Sequence, residues 1–344
     1  MKHSIYLIIF LFVTCISTQA QKINYHQYYH LNWLHVKLNS NYKPQPSDTV
    51  IAVVSCREFF KDSTEFLSDQ LGKELHYFLF YLHDDNWEVK QCETMNEMLS
   101  KIPKGKHNTL CTEGLGRNLL VAVDRAIMYT RTYGQNIIQF DWPTDFKSKK
   151  RTGDFFKTLH ISNEASYLFA KCIDEMSVNA KTITKSLSFN IFNHSMGNLL
   201  LLHASKNSLF KNLPPKTFDN VILNAACVNK RKHAKWLSNI NISTNLYVTQ
   251  NKKDFTLKGA KFLLLKKQLG QSSSVKKLAP NATYIDFSGM LNEEHNYFLY
   301  NSTLTKHPIL KHIYTKILSG ETLLTDASPF TKAGNVTNKF FVYE

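Results

Sequence analysis

Three side chains spread along a chain of 344 residues have the types and the order of a nucleophile, its orienting acid and its base. Ser195 lies in the string S-F-N-I-F-N-H-S-M-G-N-L-L-L-L, Ser188 to Leu202: an apolar strand-like run, a short turn, then an apolar helix-like run. A serine on a tight strand-to-helix turn has its hydroxyl pushed clear of the sheet, and the next backbone N–H, that of Met196, is free to face a developing oxyanion. A bare Ser-x-Gly is a weak signal, and an ordinary strand-to-helix turn produces the same letters. The flanking runs and the downstream partners carry the reading.

A serine hydroxyl needs a base, and the base needs a carboxylate to fix its tautomer. In the chain order serine, acid, histidine, both partners follow apolar runs: Asp254 after Leu246 to Thr249, and His295 after Tyr284 to Phe287. Asp286 is the rival acid. It lies inside the last run, where a side chain faces a helix or caps a turn, so Asp254 is preferred. Of the 14 histidines, His194 stands beside the nucleophile, but its side chain leaves the turn in another direction. The expected set is Ser195 as nucleophile, His295 as general acid and base, and Asp254 as orienter. A second oxyanion donor is expected from the glycine loop after the third run, Cys111 to Arg117, and is assigned to the backbone of Leu115 beside that of Met196. A dinucleotide fingerprint on Gly114 and Gly116 fails at the third glycine, where Leu119 stands.

The elements that must position these groups are legible as short β-branched or aromatic runs with helical segments between them. The runs are Val50 to Ser55, Trp87 to Cys92, Thr109 to Thr112, Ile137 to Phe140, Phe189 to Phe192, Val221 to Ala225, Leu246 to Thr249 and Tyr284 to Phe287. They predict an α/β fold with a doubly wound, mostly parallel sheet of eight strands, its strands covered on both faces and its ligand site beyond their carboxyl ends. The segment Phe146 to Asn179 begins basic and ends as an amphipathic helix, suited either to cover the site or to pack on the sheet. Tyr25 to Lys43 and Phe255 to Ala282 are further insertions.

With these parts in place, the chain resembles a bacterial α/β-hydrolase family of uncharacterised function, marked by a nucleophile string close to A-H-S-M-G-N. The resemblance covers roughly residues 108–320 and includes Phe140-Asp141-Trp142-Pro143, the acid segment Asn251 to Leu257, and His295-Asn296-Tyr297-Phe298. It implies an α/β-hydrolase fold, hydrolysis of esters or related acyl compounds, and no metal or organic cofactor. Two residues depart from the family. Glu113-Gly114 stands where His-Gly is usual, and a carboxylate there opposes an oxyanion unless Glu113 turns away or pairs with Arg117. Asn193 stands where a small residue is usual, two positions before the nucleophile.

Residues 1–20 have the lysine, apolar core and small-residue finish of a cleavable secretory signal, which predicts a secreted or periplasmic protein. Lipidation at Cys15 is disfavoured by Thr14 before it. The remaining segments read as an extension at 21–49, a hydrolase domain at 50–320 and a tail at 321–344. Of 6 cysteines, the five after the signal have no C-x-x-C spacing and read as buried thiols rather than a disulfide framework or a zinc site. The formal charge of +15 is spread over the chain, with small clusters at Lys147 to Arg151 and Lys230 to Lys235. It lacks the patterning of nucleic-acid binders and suits solvated faces, with attraction to anionic cell-surface polymers or lipids as the functional alternative. The expected partner is a small-molecule or lipid-like acyl substrate of a carboxylesterase or lipase-like enzyme. The competing expectation, of a different class, is a catalytically silent hydrolase-like binding protein with a basic surface.

Overall fold

The computed structural model describes residues 36–83, 86–148 and 150–343; the expected signal at 1–20 with Cys15, and residues 21–35 of the expected extension, lie outside the described residues. Twelve strands form one sheet: β1 (Val36–Leu38), β2 (Thr49–Phe59), β3 (Leu67–His83), β4 (Asn86–Cys92), β5 (His107–Thr112), β6 (Asn136–Asp141), β7 (Ser188–His194), β8 (Phe218–Asn224), β9 (Ser243–Gln250), β10 (Thr283–Asp286), β11 (Phe330–Lys332) and β12 (Lys339–Val342). Their order is β1-β4-β3-β2-β6-β5-β7-β8-β9-β10-β12-β11. Every pairing is parallel except β2–β3, β3–β4 and β11–β12. The eight helices are α1 (Met95–Lys101), α2 (Leu119–Tyr133), α3 (Arg151–Thr184), α4 (Asn198–Lys206), α5 (His233–Leu237), α6 (Phe255–Leu264), α7 (Asn301–Lys306) and α8 (Pro308–Leu318), counted among the described residues.

The fold is mixed α/β with a large, mostly parallel sheet, and the expected eight strands are corrected to twelve. Each of the eight apolar runs falls on a strand, and β1, β3, β11 and β12 are additional. The largest omission is β3, 17 residues long, where a helical segment was expected. Its second half, from Leu75, is a nearly unbroken apolar and aromatic run, a pattern that fits a buried strand or a buried helix equally. The hairpin decides: His83 pairs with Asn86 across a two-residue connection, and β3 zips antiparallel onto β2 from Leu82 back to Tyr77. Strands β11 and β12 are short and each contains a lysine, so only pairing identifies them, β12 along β10 and β11 along β12.

The chain passes from β5 through α2 to β6 on one side, then returns through α3 to β7 on the other side of β5. With right-handed crossovers this reversal puts α2 and α3 on opposite faces and opens a crevice beyond the end of β5. On the α2 face, Tyr129 packs edge-on against Phe192 (5.6 Å) and Tyr314 of α8 joins the same aromatic cluster. On the α3 face, Phe169 packs edge-on against Phe140 (5.2 Å). From Arg151 on, the segment Phe146 to Asn179 therefore belongs to α3, a helix of 34 residues that runs on to Thr184 and packs on the sheet, with only its start near the carboxyl ends of the strands. At the opposite edge, the starts of the strands carry asparagines that satisfy one another: the buried Asn136 donates to the buried Asn108 (2.7 Å), and the half-buried Asn245 to the buried Asn220 (2.7 Å). Asn190 and Asn220 also hold the last carbonyls of α8, those of Leu318 and Ile317, at 2.6 Å each. Polar pairing thus pins one end of the sheet, and leaves the other for the site.

Cys56, Cys92, Cys111, Cys172 and Cys227 are all buried and unpaired. On α2, Asp124 is buried with one carboxylate oxygen unpartnered, and burial pushes its pKa up to about 7. A folded-state value above the unfolded one means that the neutral form is favoured in the fold. That stability is fully present below the ordinary value of 3.8 and is lost as pH rises through about 7. Asp124→Asn is expected to raise stability by a few kcal/mol, at most ~4, at pH 8 and to change it little at pH 4. Denaturant melts of the two proteins at both pH values check this; equal gains at the two pH values would refute it.

Candidate active site

Four loops leave the sheet at the same edge, after β5, β7, β9 and β10, because these strands run parallel. They carry Gly114 to Arg117, Ser195, Asp254 and His295. Strand β7, buried throughout, ends at His194; Ser195–Gly197 is a single 3-10 turn, and α4 starts at Asn198. Ser195 has φ +52°, a left-handed conformation that costs a non-glycine residue ~1–3 kcal/mol and persists only where the surroundings enforce it.

The surroundings here are explicit. The Ser195 carbonyl accepts from the Cys227 N–H and from Asn198 Nδ2, both at 3.0 Å. The same Asn198 amide reaches the carbonyls of Asn193 (2.9 Å) and Asn224 (3.3 Å), tying the ends of β7 and β8 to the turn. Gly197 allows the turn to sit against β5, since a Cβ there would stand 2.6 Å from the Thr112 carbonyl oxygen. The Asn193 side chain fits without wedging strand from helix: it is buried, and its Nδ2 donates to the Gly197 carbonyl at 3.3 Å.

Gly114 is the point where the β5 loop meets the serine. A Cβ on Gly114 would lie 2.8 Å from Met196 N, 2.8 Å from Ser195 Cβ and 3.2 Å from Ser195 Oγ, so a side chain would fill the space in front of the hydroxyl. The Gly116 and Arg117 amides are committed to Thr144, its carbonyl at 2.9 Å and its hydroxyl at 3.1 Å. The Leu115 amide between Gly114 and Gly116 has no hydrogen-bond partner among the described residues.

His295 Nδ1 and Asp254 Oδ2 are 2.6 Å apart, with Asp254 fully buried and His295 slightly exposed. The other Asp254 oxygen accepts the Leu257 N–H at 2.9 Å and caps α6. Asn251 fastens the two loops together by donating to the carbonyls of Asn292 (2.8 Å) and Glu294 (3.1 Å). The His295 ring lies 4.7 Å from that of His194, next to the serine in the chain. The rival acid is engaged elsewhere. Asp286 accepts the Ser288 N–H (3.0 Å) and hydroxyl (2.5 Å), and its other oxygen is 3.5 Å from the buried Lys339 Nζ.

Glu113 turns away from the serine and finds Arg125, not Arg117. Its Oε1 is 2.9 Å from Arg125 Nε and accepts the Tyr129 hydroxyl at 3.2 Å, all three residues buried. Its backbone carbonyl accepts the Trp142 indole N–H at 2.9 Å. Arg125 continues to Asn296 Oδ1 (3.1 Å), and Asn296 neighbours His194. Asn224 takes two hydroxyls on its oxygen, Thr249 at 2.8 Å and Tyr314, so its Nδ2 must donate to His194 Nδ1, at 3.0 Å. Burial, and after it the neighbouring His295, Arg125 and Arg117, hold the His194 pKa well below the usual histidine value, so this ring is neutral. The departure at Glu113 is therefore part of a buried network under the His295 loop.

Sequence reasoning missed Asn198, Asn224, Asn296 and Arg125. The signal that was available is compositional: four polar residues stand within or beside apolar runs, where each must find a partner when buried.

No family model matches the chain, and no curated protein does. Among solved structures, the Pyrobaculum calidifontis esterase is 9% identical, with 81% of this chain and 86% of the esterase covered and a TM-score of 0.40. The S-formylglutathione hydrolase of Staphylococcus aureus is 10% identical, with 80% and 99% covered and a TM-score of 0.35.

Proposed function

We propose that the chain is a serine hydrolase of the α/β-hydrolase type that cleaves an ester or related acyl compound through an acyl-enzyme. The observation that carries this reading is the φ of +52° at Ser195, between a buried strand and a helix, with Gly114 and the Met196 amide packed against its side chain. A strained serine held by this many partners is the geometry of a nucleophile elbow.

In this reading Asp254 fixes the proton of His295 on Nδ1, which leaves Nε2 to take the Ser195 hydroxyl proton as the oxygen attacks the carbonyl. The Met196 and Leu115 amides receive the oxyanion, each donor contributing on the order of 100-fold to 1000-fold in turnover. His295 then gives its proton to the departing alcohol, and a water activated by the same ring hydrolyses the acyl-serine. The silent-binder alternative rests on Glu113 and Asn193; Glu113 is paired with Arg125, and Asn193 is buried with its amide donating to the Gly197 carbonyl. The signal-like pattern of residues 1–20 supports an activity in the periplasm or outside the cell.

A fluorophosphonate probe tests the function. The folded protein is expected to take one label, on Ser195, and a folded protein that takes none sinks the proposal.

A further inference from the structure

The loop that brings Leu115 toward Ser195 continues through Gly116 to Arg117. At Gly116, with φ +70°, a Cβ would stand 3.1 Å from Arg151 Nη2 and 3.5 Å from its Cζ, so the guanidinium of Arg151 lies directly against the loop. Arg117 is half-buried, and its charge is among those that depress the pKa of His194, the neighbour of both Ser195 and the His295 ring. The exposed Arg151 and the half-buried Arg117 therefore both border Gly116, two positions beyond the glycine that faces the serine.

Several other cations nearby are engaged. Lys147 reaches Asp69 (3.3 Å) and Glu65 (3.5 Å), and Lys157 lies over the Phe146 ring at 5.3 Å. Arg57 is buried against Asp141 (2.8 Å) and the Trp142 carbonyl (3.0 Å). Asp154, the acid that starts α3, accepts the Phe146 and Ser148 amides, both at 3.2 Å. Among the described residues Arg117 makes no ion pair, its side chain bonding only the Gly116 carbonyl at 3.4 Å, and Arg151 makes none at all. Cations brought together without a carboxylate repel one another, and an oxyanion that accepts from both removes that repulsion through charge-assisted hydrogen bonds.

We propose that the substrate of this site carries an oxyanionic group, a carboxylate or a phosphate, next to its scissile ester, and that Arg117 and Arg151 bind it. The proposal rests on the serine-hydrolase reading. It narrows the substrate class from esters in general to acidic ones, with the anion on the Gly116 side of the oxyanion loop. Solvated arginines with no ligand are the competing description.

Two matched pairs of esters test it. One pair is para-nitrophenyl hexanoate against the para-nitrophenyl half-ester of adipic acid, which adds a carboxylate on the acyl side. The other is phenyl acetate against para-acetoxyphenyl phosphate, which adds a phosphate on the alcohol side. After correction for spontaneous hydrolysis, kcat/KM is expected to favour the charged member of one pair by about tenfold or more, and the favoured pair identifies the side and the anion. That ratio should fall toward one in Arg117→Gln and Arg151→Gln, and as salt rises. Ratios near one in both pairs, or a preference that both variants retain in full, overturn the inference while the hydrolase reading stands. No turnover of any of the four esters, with no fluorophosphonate label on the folded chain, removes both.

Discussion

Replacing Ser195 with alanine is expected to lower ester kcat by roughly 10^4-fold to 10^6-fold, with KM changed far less. In the proposed triad the loss is large because His295 and Asp254 act only through the hydroxyl: without an oxygen to deprotonate, the pair has nothing to activate except water. Residual turnover should remain above the spontaneous rate, since the Met196 and Leu115 amides and the substrate contacts survive. The backbone makes a second, independent statement. Alanine keeps the cost of φ +52°, and glycine removes it at the expense of a more flexible unfolded chain. Ser195→Gly should therefore be at least as stable as Ser195→Ala, by up to about 1 kcal/mol, although both are inactive. Steady-state kinetics and thermal melts of the two variants check both statements. An alanine variant that keeps turnover within a few-fold of the parent would show that chemistry lies elsewhere.

The sequence exposed the parts of this site that obey order and spacing. Ser195, Asp254 and His295 each follow a buried parallel strand, and such strands read as unbroken apolar runs because helices cover both faces. Strand β3 escaped because an unbroken aromatic run does not distinguish a strand from a buried helix. Its antiparallel partner β2 settles the matter through contacts that no local pattern encodes. The supporting asparagines escaped for a different reason. Asn198 acts on carbonyls three and five residues back, within reach of a local rule, but also on Asn224 across the next strand. Asn296 joins Arg125 from 171 positions away. Glu113 shows the limit most plainly. The sequence offers Arg117 as the nearby cation, yet Glu113, the first residue after β5, directs its side chain toward α2, where Arg125 and Tyr129 lie. The loop then carries Arg117 onward past Gly116. Which neighbour a charge meets depends on the direction in which each residue leaves its element, and spacing does not give it.

The two candidate acids differ most sharply in what their loss should do. Asp254→Asn replaces the carboxylate that lies 2.6 Å from His295 Nδ1 with an amide that can present its N–H to the ring. The proton then sits on Nε2, the nitrogen that must accept from Ser195, and kcat should fall about 10^4-fold with the fold intact. The helix cap survives in part, because the asparagine oxygen can still accept from the Leu257 N–H. Asp286→Asn acts on stability instead. It leaves Lys339, buried and retaining the Ser273 carbonyl at 3.0 Å, without its counter-charge, and breaking a buried pair of this kind costs ~3–5 kcal/mol. The Asp286 variant should therefore melt earlier and yield less folded protein, while each active site that titrates with fluorophosphonate turns over at nearly the parental rate. Normalising kcat to titrated sites separates the two effects. Loss of turnover per site in the Asp286 variant, with the Asp254 variant near parental, would transfer the role of acid to Asp286. It would also leave the Asp254–His295 contact as a structural tie between the β9 and β10 loops, with no part in proton transfer.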